Sequence, residues 1–310
     1  MYHFILNPNA SSGKGKKAFD EIKPILVRRN IDYRFYIFEN RDELAETVSA
    51  LSSSANATVN HIVVVGGDGT LNLVLNYIED FTKVKLSVLR VGSGNDFARN
   101  VGVGKDIKKY LIHLLDEPEI VELDYGVAEY ITEDGEVVKR RFIISSGIGY
   151  DADICEEASR SRLKKVLNNI KLGKLVYLLI GLKQVFIKKG AKAIIYFDNG
   201  RKIRLRSMFF AVGMVHKMEG GGVPFCPYAD PLDGKLDVCV VKSANVLKLL
   251  LEIGLVYIKK HLIFSNITNY RCRSYRVALS KPEWIHLDGE TPCKVKGAKF
   301  TSKSGIRFVR

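Results

Sequence analysis

Four consecutive β-branched apolar residues, Ile62-Val63-Val64-Val65, run directly into Gly66-Gly67-Asp68-Gly69-Thr70, and this junction limits the fold more than any other stretch. An unbroken apolar run of strand length suits a strand covered on both faces, as in a parallel sheet under helices. Its neighbours agree. Residues 3–6, 33–38 and 86–91 also read as strands, and 17–29, 42–51, 70–78, 95–101 and 107–115 carry helical periodicity. Alternating strands and helices need crossover connections, which predicts a three-layer α/β domain with a mostly parallel sheet. Ligands of such sheets gather beyond the carboxyl ends of the strands. Three glycine clusters fall there: Ser12-Gly13-Lys14-Gly15, Gly66-Gly67-Asp68-Gly69 and Gly92-Ser93-Gly94.

After about residue 123 the texture changes. Asp134-Gly135, Asn199-Gly200 and Asp288-Gly289 stand between β-rich flanks, so this part is expected to be mainly antiparallel β, with helical insertions near 159–188 and 244–261. A chain of 310 residues accommodates two domains, expected at 1–123 and 124–304, with a last strand near 305–310 packing back on the first. Five cysteines without a C-x-x-C pair argue for reduced packing residues rather than a disulfide framework or zinc site. The N-terminal segment lacks a basic region before its short apolar run, which predicts a cytoplasmic protein. Apolar stretches at 175–182 and 255–258 are too short to span a bilayer, so membrane contact is expected to be peripheral.

The strand–glycine–helix unit at 62–78 lets backbone N–H groups approach a phosphate, and the helix N-terminus adds a positive dipole. It matches neither the G-x-x-x-x-G-K-[ST] nor the G-x-G-x-x-G pattern. A tight β–α turn with Asp68 and Thr70 as local caps is the plain alternative for one such loop. Three glycine turns at strand ends, two carrying Asp, point to a polyphosphate accompanied by a divalent cation.

Gly66-Gly67-Asp68-Gly69-Thr70-Leu71-Asn72 and Gly92-Ser93-Gly94-Asn95-Asp96-Phe97-Ala98-Arg99 together resemble the diacylglycerol kinase catalytic-domain family of lipid kinases, in its bacterial soluble branch. The resemblance extends through Asn7-Pro8, Val121-Glu122-Leu123-Asp124-Tyr125-Gly126, Gly147-Ile148-Gly149-Tyr150-Asp151, Gly220-Gly221-Gly222, Asp233-Gly234-Lys235-Leu236-Asp237 and Asp288-Gly289-Glu290. It implies an N-terminal nucleotide-binding domain similar to those of NAD kinases and phosphofructokinases, and a C-terminal β-sandwich domain for a lipid substrate. The implied reaction is phosphorylation of diacylglycerol to phosphatidic acid by ATP with Mg²⁺. Another lipid alcohol (phosphatidylglycerol, a sphingoid base or a polyprenol) and a non-catalytic nucleotide- or lipid-sensing membrane module stay open as alternatives. The Ser-Gly-Asn-Asp-Phe-Ala-Arg segment favours glycerolipids within the family.

Residue by residue, the resemblance implies ATP contacts from Asn7, Pro8, Ser12, Gly13, Gly66, Gly67, Asp68, Gly69, Thr70, Asn72, Ser93, Gly94, Asn95 and Asp96. It implies a metal turn of Asp230, Asp233 and the Lys235 carbonyl, linked through water to Asp68, Asp96 and Asp124. Two departures stand out. The first loop is longer than the family's usual Asn-Pro-x-Ser-Gly, and Phe38-Glu39-Asn40 replaces a threonine that the family often places after its second strand.

Phosphoryl transfer needs a base mainly to accept the proton of the attacking hydroxyl, and a carboxylate suffices. Asp-Gly-Glu occurs at 134–136 and at 288–290, and spacing alone does not rank them. The resemblance assigns the second, making Glu290 the candidate base and Asp68 its partner in catalysis. The net charge of +14 favours polyanions, and ten Lys or Arg with no Asp or Glu between 160 and 192 read as a basic amphipathic segment facing an anionic membrane surface. The basic residues lack the aromatic interleaving of a nucleic-acid platform, so no nucleic-acid partner is expected. Homodimerisation stays open.

Overall fold

The computed structural model describes residues 1–8, 14–38, 40–91, 94–161 and 173–310, which divide into two compact units. The first comprises Met1–Asp124 with Ser304–Arg310, and the second Tyr125–Lys303.

In the first unit the order is β1 (Tyr2–Leu6), α1 (Lys14–Arg28), β2 (Tyr33–Ile37), α2 (Arg41–Ser52), β3 (Asn60–Gly66), α3 (Asp68–Tyr77), β4 (Val84–Arg90), α4 (Asp96–Asn100) and α5 (Ile107–Asp116). The strands lie parallel in the order β2-β1-β3-β4, with Phe35, Phe4, Val63 and Ser87 in one row across them. Ile62, Val63, Val64 and Val65 have no exposed surface, as a strand covered on both faces requires. Helix α1 packs with α5 and α2 with α3, supplying the two helical layers. The last residues complete the sheet edge. Phe308 pairs in parallel with Leu86, its ring meets Phe97 edge-on at 5.2 Å, and Ser87 Oγ donates to the Val309 carbonyl at 2.7 Å.

The second unit is antiparallel. It holds most of β5 (Ile120–Ile131), then β6 (Val137–Phe142), β7 (Ser145–Gly149), α6 (Tyr150–Arg160), α7 (Gly173–Ile187), β8 (Ala191–Phe197), β9 (Lys202–Met214), β10 (Leu236–Lys242), α8 (Val246–Tyr257), β11 (Ile267–Cys272), β12 (Ser274–Leu287) and most of β13 (Lys294–Val309). Strands β11, β10, β9, β7, β12 and β13 are neighbours in that order, and β8 bridges β9 and β12. Phe142, Tyr275 and Phe300 anchor its core, the last two stacked at 4.7 Å. All three Asx-Gly pairs form turns, but they differ. Gly135 and Gly200 alone take positive φ in theirs, whereas both Asp288 (φ 48) and Gly289 (φ 88) do, the mark of a type I′ hairpin.

Boundaries shift where caps decide them. Helix α3 starts at Asp68 rather than residue 70, because Gly67 adopts the extended N-cap conformation and an acidic first-turn residue suits the helix dipole. The insertion expected from residue 159 already begins as α6 at Tyr150, directly after Gly149 turns the chain at φ 110. The last strand runs far longer than 305–310, from Lys294. Asn40, in the segment that departs from the family, caps α2 by accepting the Glu43 N–H at 2.9 Å.

Phe308 is fully buried against the helix that carries Asp96. Phe308→Ala is expected to lower the free energy of unfolding by about 3–5 kcal/mol, measured by urea denaturation.

Candidate active site

The carboxyl ends of β1, β3 and β4 carry the glycine loops, and direct contacts join them. Asn7 Nδ2 donates to Thr70 Oγ1 at 3.2 Å, and Val91 N donates to the Gly66 carbonyl at 2.9 Å. Only glycine fits at 66: a Cβ there would stand 2.8 Å from Thr70 Oγ1. Asp68 reaches across to the next loop, its Oδ2 accepting the Asp96 N–H at 2.9 Å and its Oδ1 the Phe97 N–H at 3.2 Å. Asp96 pairs with Arg99, whose guanidinium also donates to the Gly94 carbonyl at 2.7 Å.

The charge of these two carboxylates is therefore compensated within the protein, by backbone N–H groups and an arginine. Arg90, at the end of β4, adds a second guanidinium; burial and then Arg99 lower its pKa, with Asp68 opposing. Sequence reasoning missed Arg90, since nothing in its spacing separates it from other strand-end cations.

Gly67 provides no side-chain cap for α3, so the first-turn N–H groups have no side-chain acceptor from the N-cap residue. A Cβ at Gly69 would meet nothing within 4 Å. That arrangement of donors, dipole and room can receive an anion. Asn72 lies deeper, buried in α3 with its Oδ1 3.3 Å from Asn76 Nδ2, and Asn95 is the left-handed N-cap of α4 at φ 54. Pro8 is half-buried at the start of the first loop, while Ser12, Gly13 and Ser93 lie outside the described residues. Asp124 is buried and accepts from Ser304 Oγ.

In the second unit the two Asp-Gly-Glu turns separate clearly. That at 134–136 is an exposed hairpin tip. In the other, the Asp288 carboxylate accepts three backbone N–H bonds, from Ile143 at 2.8 Å, Ile144 at 2.8 Å and Ser145 at 3.0 Å. Leu287 and Glu290 exchange backbone bonds of 2.9 Å, which leaves the Glu290 side chain exposed on a fixed turn.

The 230–235 turn is organised by its own acids. Asp230 Oδ1 accepts the Leu232 N–H at 3.1 Å, and Asp233 Oδ1 the Lys235 N–H at 3.0 Å. Asp230 is exposed and Asp233 half-buried, an oxygen-only donor set that suits a hard cation such as Mg²⁺. Arg271 stands close, with Nη1 3.6 Å from Asp233 and Nε 3.1 Å from Asp237.

A buried group that the sequence did not single out lies in the same unit. Ligand-type atoms of Asp151, Glu219 and His286 fall within 4.8 Å of one another. His286 Nε2 is 3.0 Å from Asp151 Oδ2, and Ser145 Oγ donates to Glu219. Burial alone would lower the His286 pKa, but Asp151, Glu219 and Asp288 outweigh it and push it up to about 9. No spacing rule brings positions 151, 219 and 286 together; the pairing of β7 with both β12 and β9 does.

Two family models cover most of the chain. Residues 1–128 match the diacylglycerol kinase catalytic domain, and residues 144–300 match the YegS C-terminal NAD kinase beta sandwich-like domain. The chain belongs to the diacylglycerol kinase family of lipid kinases. YtlR of Bacillus subtilis (strain 168), which bears a lipid-kinase name, is 25% identical over 290 residues, 93% of each chain. A protein of Pseudomonas savastanoi pv. phaseolicola (strain 1448A / Race 6), named as a YegS-like lipid kinase, is 31% identical over 259 residues, 80% of this chain and 75% of that one. A crystal structure of a diacylglycerol kinase from Bacillus anthracis str. Sterne superimposes with a TM-score of 0.69 at 18% identity, covering 99% of this chain and 95% of that one, and shares the fold. The α/β unit followed by a β-rich unit is thus this lipid-kinase family's architecture.

The raised His286 pKa has a stability consequence. The protonated pair contributes fully below the unfolded value of 6.5, and its contribution is lost as pH rises through about 9. The difference corresponds to roughly 3 kcal/mol. Urea denaturation between pH 6 and 10 is expected to show this alkaline loss in the native protein and to show a smaller one in Asp151→Asn, where Glu219 and Asp288 remain.

Proposed function

We propose that this lipid kinase transfers the γ-phosphoryl group of ATP to the free hydroxyl of diacylglycerol, yielding phosphatidic acid and ADP. The single observation that carries the reading is the α3 N-terminus. It lacks a side-chain cap from Gly67, has open space at Gly69, and is flanked by Arg90 and Arg99. In this reading the N–H groups of residues 68–70 hold phosphate oxygens, and the Asn7–Thr70 contact keeps the end of β1 beside them. Asp68 and Asp96 fix the loops that surround the phosphates. Ser12, Gly13 and Ser93, outside the described residues, are proposed as ATP contacts by their position in the motif.

Glu290 takes the proton of the acceptor hydroxyl while its oxygen bonds to the γ-phosphorus. The bond to the β–γ bridging oxygen breaks, and ADP leaves with that electron pair. Asp230, Asp233 and the Lys235 carbonyl would hold Mg²⁺, which neutralises phosphate charge when bound. Asp288 keeps the turn in place and, with three N–H donors on its carboxylate, is not the base.

The substrate resides in a bilayer, so peripheral contact at the inner face of the membrane belongs to the same reading. No helix among the described residues is long and apolar enough to cross a membrane. The basic segment 160–192 contributes cations; its residues 162–172 lie outside the described residues.

Labelled ATP with Mg²⁺ and a panel of diacylglycerol, phosphatidylglycerol, sphingosine and undecaprenol is expected to give phosphatidic acid. A different phosphorylated alcohol would move the acceptor, and no product from any lipid would end the kinase reading. Glu290→Gln is expected to lower kcat by about a hundredfold or more with ATP affinity retained. Gly69→Ala meets no protein atom, so its thermal stability should hold while ATP affinity, read by equilibrium binding, falls.

A further inference from the structure

Helix α8 buries Leu249, Glu252 and Val256, and packs Val246, Leu250 and Ile253 against the apolar cluster that includes Phe210 and Met214. Its opposite side is apolar too. Leu247 is 79% exposed, Leu251 55% and Ile258 58%, and exposed Gly254 lies among them. Positions 247, 251, 254 and 258 follow helical spacing and form one stripe. Tyr257 in the last turn and Ile263 beyond the helix end are exposed as well. A helix that packs on a core normally turns charged groups to water, and this one turns leucine and isoleucine.

The charges left in reach of water on the helix and at its two ends are cationic. Lys242, Lys259 and Lys260 are exposed and Lys248 is half-buried, whereas the helix's one carboxylate, Glu252, is buried. Helix α7, which packs against α8, repeats the pattern. Leu178, Leu179, Phe186 and Ile187 are exposed beside Lys189, no acid occurs between 173 and 192, and Lys183 pairs with Glu157 of α6 at 2.5 Å.

We propose that the α8 stripe and its flanking lysines form a docking surface for an anionic lipid bilayer. This deepens the membrane contact of the kinase reading by assigning it to a specific helix outside the basic segment 160–192. Charge selects the occupant. A second copy docking by two-fold symmetry would bring the lysine-rich rims together, like against like, around the apolar contact. An anionic leaflet supplies the opposite charge, and its acyl boundary receives leucine side chains without a shaped partner. The helix lies in the interface plane, with Leu247, Leu251 and Ile258 inward and the lysine ammonium groups at the level of the lipid phosphates.

Trp284 is the chain's one tryptophan, so Leu251→Trp in a Trp284→Phe background gives a single reporter. Its emission is expected to shift to shorter wavelength with phosphatidylglycerol vesicles, not with phosphatidylcholine vesicles, and to return at high salt. Co-sedimentation with phosphatidylglycerol vesicles is expected to weaken by about tenfold or more in Leu247→Asp/Leu251→Asp and in Lys259→Glu/Lys260→Glu. All four side chains are exposed, and circular dichroism checks that the fold is kept. Unchanged sedimentation overturns the proposal. So does a spectral shift that follows protein concentration without vesicles, which would mark a second copy as the occupant.

Activity separates this proposal from the kinase reading. Leu247→Asp/Leu251→Asp should match the native rate on short-chain diacylglycerol in detergent and lose about tenfold on vesicle-borne diacylglycerol. If the native protein phosphorylates neither form, the diacylglycerol reading fails, and sedimentation still decides the docking surface.

Discussion

The carboxylate of Asp68 holds two backbone N–H groups of the following loop, those of Asp96 and Phe97, and the shape of the first unit's loop edge depends on that bond pair. Asp68 stands in the first turn of α3 and caps the start of α4, so one negative charge serves two positive helix ends. Phe97 in turn packs on Phe308, which ties the last strand to the same loop. Gly67, the extended residue before α3, offers no side-chain cap to that helix start. The proposed phosphate cradle rests on this arrangement, in which one charge is satisfied locally at the start of a helix whose dipole favours an anion.

The second unit uses the same device on another scale. Asp288 accepts three N–H bonds from the start of β7, and the turn it anchors sets Glu290 in the open. A type I′ turn needs positive φ at both central residues, which Asp-Gly tolerates, so the motif is first a piece of backbone chemistry. The otherwise similar turn at 134–136 has no such anchor among the hydrogen bonds of its aspartate, and its glutamate stands at an exposed tip. The anchored turn holds its glutamate on a fixed backbone, which is what the proposed role of Glu290 requires. Next to the held turn in sequence, His286 gathers Asp151 and Glu219 into a buried charge cluster.

The 230–235 turn shows how a family motif and its surroundings share charge. Asp230 and Asp233 are shaped by bonds to backbone N–H groups two residues on, and Arg271 already faces Asp233 and Asp237. A cation arriving there would compete with that guanidinium for Asp233, while Asp230 remains exposed for it. The apolar stripe on α8 is a further case of surroundings changing a residue's meaning. Leucines at 247 and 251 look like core residues in sequence, and only the packing shows which leucines of the helix face inward.

Much was legible in the residues themselves. The run at 62–65, the glycine clusters after strands and the Asx-Gly turns are local signals, fixed by the geometry of single residues and by the need to cover both faces of a parallel strand. They gave the parallel first unit, the antiparallel second and the loops at the strand ends. Other features were decided by tertiary structure alone: Arg90 beside Arg99, Arg271 against the acid turn, the 151–219–286 cluster, and which Asp-Gly-Glu turn is anchored. These depend on strand register and on helix starts set by caps, and charges distant in the chain meet only when non-local pairing places them within a few ångströms. Local chemistry therefore determined the elements and their loops, whereas the electrostatic partners of the site came from the packing, because Coulomb and hydrogen-bond energies act through distance in space.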